Sequence, residues 1–307
     1  MVYDLIIIGA GPAGTAAGIY AGRSKMKILL IAKDFGGQMF KKTTNVENYP
    51  GFEKISGLDL IERFKEQLKK QDISVEIGEV TGIKKTEKGF LIQTRAGRQF
   101  QSSAVIVCSG ADPRPLEVPG EKEFIGRGLS YCVHCDGPIF TNKTVAVVGG
   151  GNSGFEAAMF LANYVKKIYI LESGPSVKAD LANQELVRKI GKVEIITGVS
   201  LKEVRGDKFV SSVIYQDRGE GEDKSLAVDG VFVEIGLQPA TSFLKGLVDF
   251  NEKDEVKVDP GTFQTKTPGL FVAGDITVGK FKQIVIATGE GAKAALSAYE
   301  YLNRVDN

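Results

Sequence analysis

The chain has little histidine and little cysteine, one and three residues in 307. Three cysteines are too few for the disulfide framework that staples small secreted domains. A structural zinc site needs four ligands. Besides Cys132 and Cys135 the chain offers only Cys108 and His134, and His134 is squeezed between the two cysteines, where it could hardly share their metal. Net charge is also missing: 39 Lys and Arg stand against 38 Asp and Glu. No field therefore favours nucleic acid or an anionic bilayer, and partners are expected among small molecules and ordinary protein surfaces. No apolar run approaches the roughly 20 residues that span a bilayer, so no membrane span is expected. Met1-Val2-Tyr3-Asp4 has none of the basic, apolar and cleavage regions of a signal peptide. Together these absences predict a soluble protein of the reducing cytoplasm.

What is present organises itself around Cys132-Val133-His134-Cys135-Asp136, followed at once by Gly137-Pro138. Two thiols at this spacing can close a small disulfide and reopen it, which makes the stretch a candidate two-electron store. Half of a zinc site looks the same, and that alternative is held back only by the shortage of further ligands. No metal is expected.

The length and a hydrophobic share of 43% suit about two domains. Leu5-Ile6-Ile7-Ile8 reads as a parallel strand buried on both faces, ending in Gly9-Ala10-Gly11-Pro12-Ala13-Gly14. This is GxGxxG between a strand and a helix. Gly9 allows the tight turn, Gly11 lets backbone approach a pyrophosphate, and Gly14 permits close packing. The helix from about Pro12 to Ser24 aims its positive end at the phosphates. The next strand, Lys27 to Ile31, lacks the ribose-binding acid, since Ala32 and Lys33 follow it and Asp34 comes late. Leu58 to Gln71 reads as an amphipathic surface helix. Ser74 to Ile77, Gly89 to Thr94 and Arg98 to Gln101 read as antiparallel strands of a small inserted sheet. Ala104 to Cys108 returns to the buried parallel type, with Cys108 as a core residue.

The second half repeats the first. Thr144 to Val148 leads into Gly149-Gly150-Gly151-Asn152-Ser153-Gly154, a helix to about Tyr164, and a strand from Ile168 that ends in Glu172. Here the acid stands about 20 residues beyond the turn, where it would accept from both ribose hydroxyls and repel a 2′-phosphate. The second site should therefore prefer NADH, with NADPH the weaker donor. Glu194 to Thr197, Val210 to Tyr215 and Asp229 to Ile235 complete this unit, and Asp217 to Lys224 reads as a hairpin turn.

These motifs, with Gly36-Gly37-Gln38 and Glu47-Asn48-Tyr49-Pro50-Gly51, make the sequence similar to the low-molecular-weight thioredoxin reductases. Glu172 replaces the start of the arginine-rich run that holds a 2′-phosphate in those enzymes, leaving Lys178 alone near its end. That departure, Tyr131 to Pro138, and Ile284 to Ser297 most resemble the reductase portion of alkyl hydroperoxide reductase flavoprotein subunits. The resemblance implies an α/β fold of two doubly wound dinucleotide-binding domains, the NAD domain inserted into the FAD domain. Its expected bounds are 1–114 and 245–307 for FAD and 115–244 for NAD with the CxxC.

The resemblance also implies FAD as the first ligand, held by Gly9, Gly11, Pro12, Ala13, Gly14, Gly37, Gln38, Asn48, Gly110, Ala111, Gly274, Asp275, Gln283 and Ile284. Gly149, Gly151, Asn152, Ser153, Gly154 and Glu172 would hold the nicotinamide dinucleotide. It implies that Cys135 exchanges electrons with the flavin, that Cys132 attacks an external disulfide, and that Asp136 gives and takes the proton, helped by His134. Flavin contact and substrate contact would require different domain orientations. A homodimer is implied as well. Because the chain starts at its first FAD strand, the disulfide partner is expected to be a separate thioredoxin-like, glutaredoxin-like or peroxiredoxin protein. A dithiol oxidase, a ferredoxin or quinone reductase, and a flavoprotein that only binds partners according to redox state remain as alternatives.

Overall fold

The computed structural model describes residues 2–38, 45–219 and 221–305. The chain divides into two compact units, Met1–Asp112 with Gln238–Asn307, and Pro113–Leu237. Residues 238–244 thus belong with the first unit, seven residues earlier than the expected crossing after 244. Leu244 explains the difference, since it is fully buried in one cluster with Ile6, Val248 and Val256.

In the first unit the strand Val2–Ala10 pairs in parallel with Ile28–Phe35 on one side and Gln99–Val107 on the other. Alternation along a strand sends neighbouring side chains to opposite faces, and here both faces are covered. Leu5 and Ile7 pack with Ala13, Ala17, Ala294 and Ala298. Ile6 and Ile8 pack on the other side with Phe90, Ile92 and Val256. That is why the strand is an unbroken apolar run. Alanines and glycines line the helix side because the helices Pro12–Gly22 and Ile284–Val305 approach closely: a Cβ on Gly291 would lie 1.9 Å from the carbonyl oxygen of Ala13.

The separate inserted sheet expected between residues 74 and 101 does not form. Ser74–Ile77 pairs in parallel with Ile28–Phe35, at the edge of the main sheet. Gly89–Thr94 is antiparallel to its neighbours, as expected, but with Val80–Thr86, a strand the sequence did not announce, it extends the same seven-stranded sheet. The cause is a single long strand, Gln99–Val107. Along one edge its first half pairs with the antiparallel ribbon and its second half in parallel with Leu270–Val272, while the other edge pairs with Val2–Ala10.

The helix Gly57–Lys69 starts at Ser56, whose hydroxyl accepts from the Asp59 N–H at 3.0 Å. Leu60, Ile61 and Leu68 are its buried face, while Leu58 is exposed.

The second unit contains a parallel sheet in the order Leu129–Ser130, Gly230–Val233, Thr144–Val148, Lys167–Glu172, Val193–Thr197. A three-stranded antiparallel sheet accompanies it, formed by Val199–Gly206, Val210–Asp217 and Asp223–Ala227. Its first and third strands were not expected from the sequence, and the third takes in residues 223 and 224, which read as turn. The turn joining the last two includes residue 220, which lies outside the described residues. Among the described residues no helix is long and apolar enough to cross a membrane.

Candidate active site

The two glycine turns are built alike. Gly9 has φ +103°, and a Cβ there would lie 2.2 Å from the Cys108 carbonyl oxygen. Gly149 has φ +120°, and its Cβ would lie 2.4 Å from the carbonyl oxygen of Glu234. In each turn the neighbouring strand passes where a side chain would be. A Cβ on Gly14 or Gly154 would stand 1.9 Å from the carbonyl oxygen of Gly9 or Gly149. The middle glycines differ: around Gly11 and around Gly151 nothing lies within 4 Å of an added Cβ. Such open backbone at a helix N-terminus is the shape a pyrophosphate needs, so both turns fit a dinucleotide.

This contrast separates binding from stability. Gly14→Ala should destabilise the apoprotein by about 2 kcal/mol or more, because backbone must move. Gly11 already has a φ of −73°, open to any residue. Gly11→Ala should therefore leave apoprotein stability within about 1 kcal/mol of wild type. It should weaken FAD binding by ~10-fold or more, since a methyl group would occupy the phosphate's approach. Denaturation of apoprotein and FAD titration of each variant measure the two effects. Equal loss of stability in both variants would contradict the assignment.

Around the first turn the structure gathers residues that are distant in sequence. An added Cβ on Gly37 would meet only the Cα of Gly11, at 3.6 Å, and one on Gly274 the Cβ of Ala13, at 3.0 Å. Gln38 hydrogen-bonds Asp275. Burial holds the Asp275 carboxyl above the usual carboxylate range, against the opposing influence of Lys282 and Gln38. Asn48 donates from Nδ2 to Oε1 of Gln283 at 3.2 Å. Ile284 opens the 22-residue last helix and packs with Val46, Leu60 and Ile61. Gly110 has φ +72°, its carbonyl accepts from the Ala240 N–H, and Ala111 is buried beside it.

Glu290 was not singled out in the sequence. Its carboxylate accepts from the Gly274 N–H at 2.7 Å and so anchors the loop carrying Asp275. Burial raises its pKa, the Gly274 N–H opposing. Cys108 sits in the helix-side core, and burial pushes its thiol far up, with Glu290 adding to the effect.

In the second unit the Glu172 carboxylate is held at both oxygens. Oε2 accepts from the Gly150 N–H and Oε1 from the Gly174 N–H, each at 2.6 Å. The backbone N–H groups of Lys178 and Ala179 donate to the Gly150 carbonyl, so the 178 segment lies against the same turn. Asn152 is exposed and tied to Asp180, donating from Nδ2 and accepting the Asp180 N–H. Ser153 beside it is exposed at the helix start.

Glu234 ends the strand Gly230–Val233, next to the second glycine turn. Burial, helped by the nearby Glu156, pushes its carboxyl up to about 7. The signal available in the sequence was a lone acid closing the apolar run Val231-Phe232-Val233.

Cys132 and Cys135 form a disulfide with S–S 2.10 Å and Cα atoms 5.3 Å apart. The single turn Val133–Asp136 brings them together, and the Cys135 N–H points at Cys132 Sγ from 3.2 Å. Both cysteines and Asp136 are half-buried, whereas His134 is exposed with its ring edge-on against Phe160 at 4.4 Å. Burial raises the Asp136 pKa, and a hydrogen bond from Ser130 Oγ at 2.6 Å opposes it.

Known proteins agree with this construction. The family model described as pyridine nucleotide-disulphide oxidoreductase matches residues 3–291. A curated relative is an alkyl hydroperoxide reductase subunit, that of Staphylococcus aureus (strain MRSA252), 40% identical over 303 residues. That match takes in 98% of this chain and 59% of the relative, so the chain spans about three fifths of its length. Two solved structures are similar throughout. Thioredoxin reductase from Streptococcus pyogenes MGAS5005 has TM-score 0.93 and 34% identity, covering 99% of both chains. The Giardia duodenalis thioredoxin reductase has TM-score 0.94 and 32% identity, covering 98% of this chain and 99% of its own.

Two dinucleotide-shaped glycine turns and a closed cysteine pair are the features of the pyridine nucleotide-disulphide oxidoreductase class. The chain belongs to the pyridine nucleotide-disulphide oxidoreductase family, on its low-molecular-weight thioredoxin reductase-like branch.

Proposed function

We propose that this chain carries two electrons from NADH, through FAD and the Cys132–Cys135 disulfide, to a separate thioredoxin-like or glutaredoxin-like carrier protein. The observation that carries the proposal is the disulfide itself, closed within one turn beside a half-buried carboxylate. The names of the similar structures, thioredoxin reductases, support the choice of acceptor class. A peroxiredoxin taken directly is the second reading, supported by the name of the curated relative.

The FAD site is assigned to the Gly9–Gly14 turn with Gly37, Gln38, Asn48, Gly110, Ala111, Gly274, Asp275, Gln283 and Ile284. The nicotinamide site is assigned to the Gly149–Gly154 turn with Asn152, Ser153 and Glu172. FAD held at the first turn would supply the chemistry that couples hydride transfer from a nicotinamide to the two-electron reduction of a disulfide. Two electrons and one proton then turn Cys132–Cys135 into a thiol and a thiolate. Asp136 supplies and recovers that proton, because burial keeps its proton affinity above that of an ordinary carboxylate. Cys132 is the attacking sulfur. The Cys135 N–H that meets it in the disulfide is placed to stabilise a Cys132 thiolate. His134, braced on Phe160, assists from the exposed side. The working protein is assigned as a homodimer of the reducing cytoplasm.

NADH oxidation with a thioredoxin-fold carrier, with and without peroxiredoxin and peroxide, tests the acceptor. Turnover should require the carrier and should saturate with its concentration. Rapid peroxide-dependent turnover without the carrier would instead establish the direct peroxiredoxin reading.

A further inference from the structure

Ser130 ends the short strand Leu129–Ser130 and is buried, with 6% of its surface exposed. A hydroxyl has one proton to donate and two lone pairs. One lone pair of Ser130 Oγ accepts the Cys132 N–H at 3.0 Å. Its proton has two acceptors in reach, Asp136 Oδ2 at 2.6 Å and the Cys132 carbonyl oxygen at 3.3 Å; that carbonyl also accepts the Asp136 N–H at 3.1 Å and shares the Cys135 N–H with Cys132 Sγ. With Asp136 ionised, the short charge-assisted bond takes the proton. With Asp136 protonated, its carboxyl proton needs an acceptor, and the free lone pair of Ser130 Oγ lies on the same line. Rotation of the hydroxyl then sends its own proton to the Cys132 carbonyl, and no group is left without a partner.

We propose that Ser130 is a positioning residue for the disulfide chemistry: its hydroxyl rotates between Asp136 and the Cys132 carbonyl and keeps Asp136 hydrogen-bonded in both protonation states. The inference rests on the reading of Asp136 as proton donor and acceptor. Other charges are few around this turn. His134 is the only other titratable side chain within it besides the cysteines. Of the elements packed on it, Gly137–Phe140 carries no charge and Asn152–Leu161 carries Glu156 alone. Glu156 does not figure among the causes that shift Asp136.

The test titrates Asp136 in FAD-loaded protein by infrared difference spectroscopy, its carboxyl band being identified by its loss in Asp136→Asn. Ser130→Ala removes a stronger bond from the charged form than from the neutral one, so the midpoint should rise by about one pH unit. The acid limb of carrier reduction should move up with it. Ser130→Thr should restore both. FAD content and thermal midpoint serve as fold controls, and Ser130→Gly provides the same deletion if the alanine variant loses FAD. A midpoint in the hydroxyl-deleted variant within about 0.3 unit of wild type overturns the proposal. If Asp136→Asn leaves the acid limb in place, the proton role of Asp136 fails, while the infrared midpoint still decides whether Ser130 tunes the carboxyl.

Discussion

Cys135→Ser should abolish NADH-dependent disulfide reduction, a loss of at least about 10³-fold, and should leave Cys132 joined to the carrier as a stable mixed disulfide. Reduction ends when the second thiol attacks that intermediate and releases the reduced carrier, so removing Cys135 stops the reaction with Cys132 already engaged. Cys132→Ser should lose activity equally and trap nothing. The asymmetry follows from geometry: among the described residues it is Cys132 Sγ that meets a backbone N–H, that of Cys135, at 3.2 Å. Non-reducing electrophoresis and mass spectrometry of each variant with carrier check both outcomes. A mixed disulfide through Cys135 would reverse the assigned order of attack.

The second large effect is cofactor choice. NADH should exceed NADPH in kcat/KM by at least ~10-fold, about 1.4 kcal/mol of discrimination. The Glu172 carboxylate cannot swing away from a 2′-phosphate cheaply, because two backbone N–H groups hold it at 2.6 Å each. Residues 173 and 174 are Ser and Gly, which bring no positive charge, and only Lys178 lies along the same turn. Glu172→Gln keeps one oxygen to accept from the backbone and removes the charge. It should bring the ratio toward ~1, mainly by lowering KM for NADPH. Steady-state kinetics with both nucleotides decide this, and a wild type that uses NADPH as well as NADH would refute the role given to Glu172.

Local chemistry was legible from residue order wherever a few neighbours impose it. A CxxC can close only a small ring, so the Cys132–Cys135 pair needed no tertiary information to be singled out. GxGxxG between an apolar run and a helix likewise carries its own shape, because the close contacts of Gly14 and Gly154 fall within their own turns. Residue order alone also showed the repeat of the two units. It did not show that Gln99–Val107 is one strand shared by three pairing partners, since period-two alternation is the same in both halves. The strand Val199–Gly206 was missed for a related reason: with half-exposed Ser200, Leu201 and Glu203, it carries no clean alternation.

Tertiary structure decided what depends on distance across the chain. It placed Gln38 on Asp275, Asn48 on Gln283 and Glu290 under the Gly274 N–H, none of which any spacing rule relates. It also gave the acids their chemistry. Asp136 and Glu234 have ordinary carboxyl groups in the sequence, and burial raises the proton affinity of both. Desolvation is a property of the surroundings, assembled from remote segments, whereas a tight turn is a property of consecutive residues. Sequence by itself therefore determined which sulfurs can close a disulfide here, and the fold determined which carboxyls have raised proton affinity.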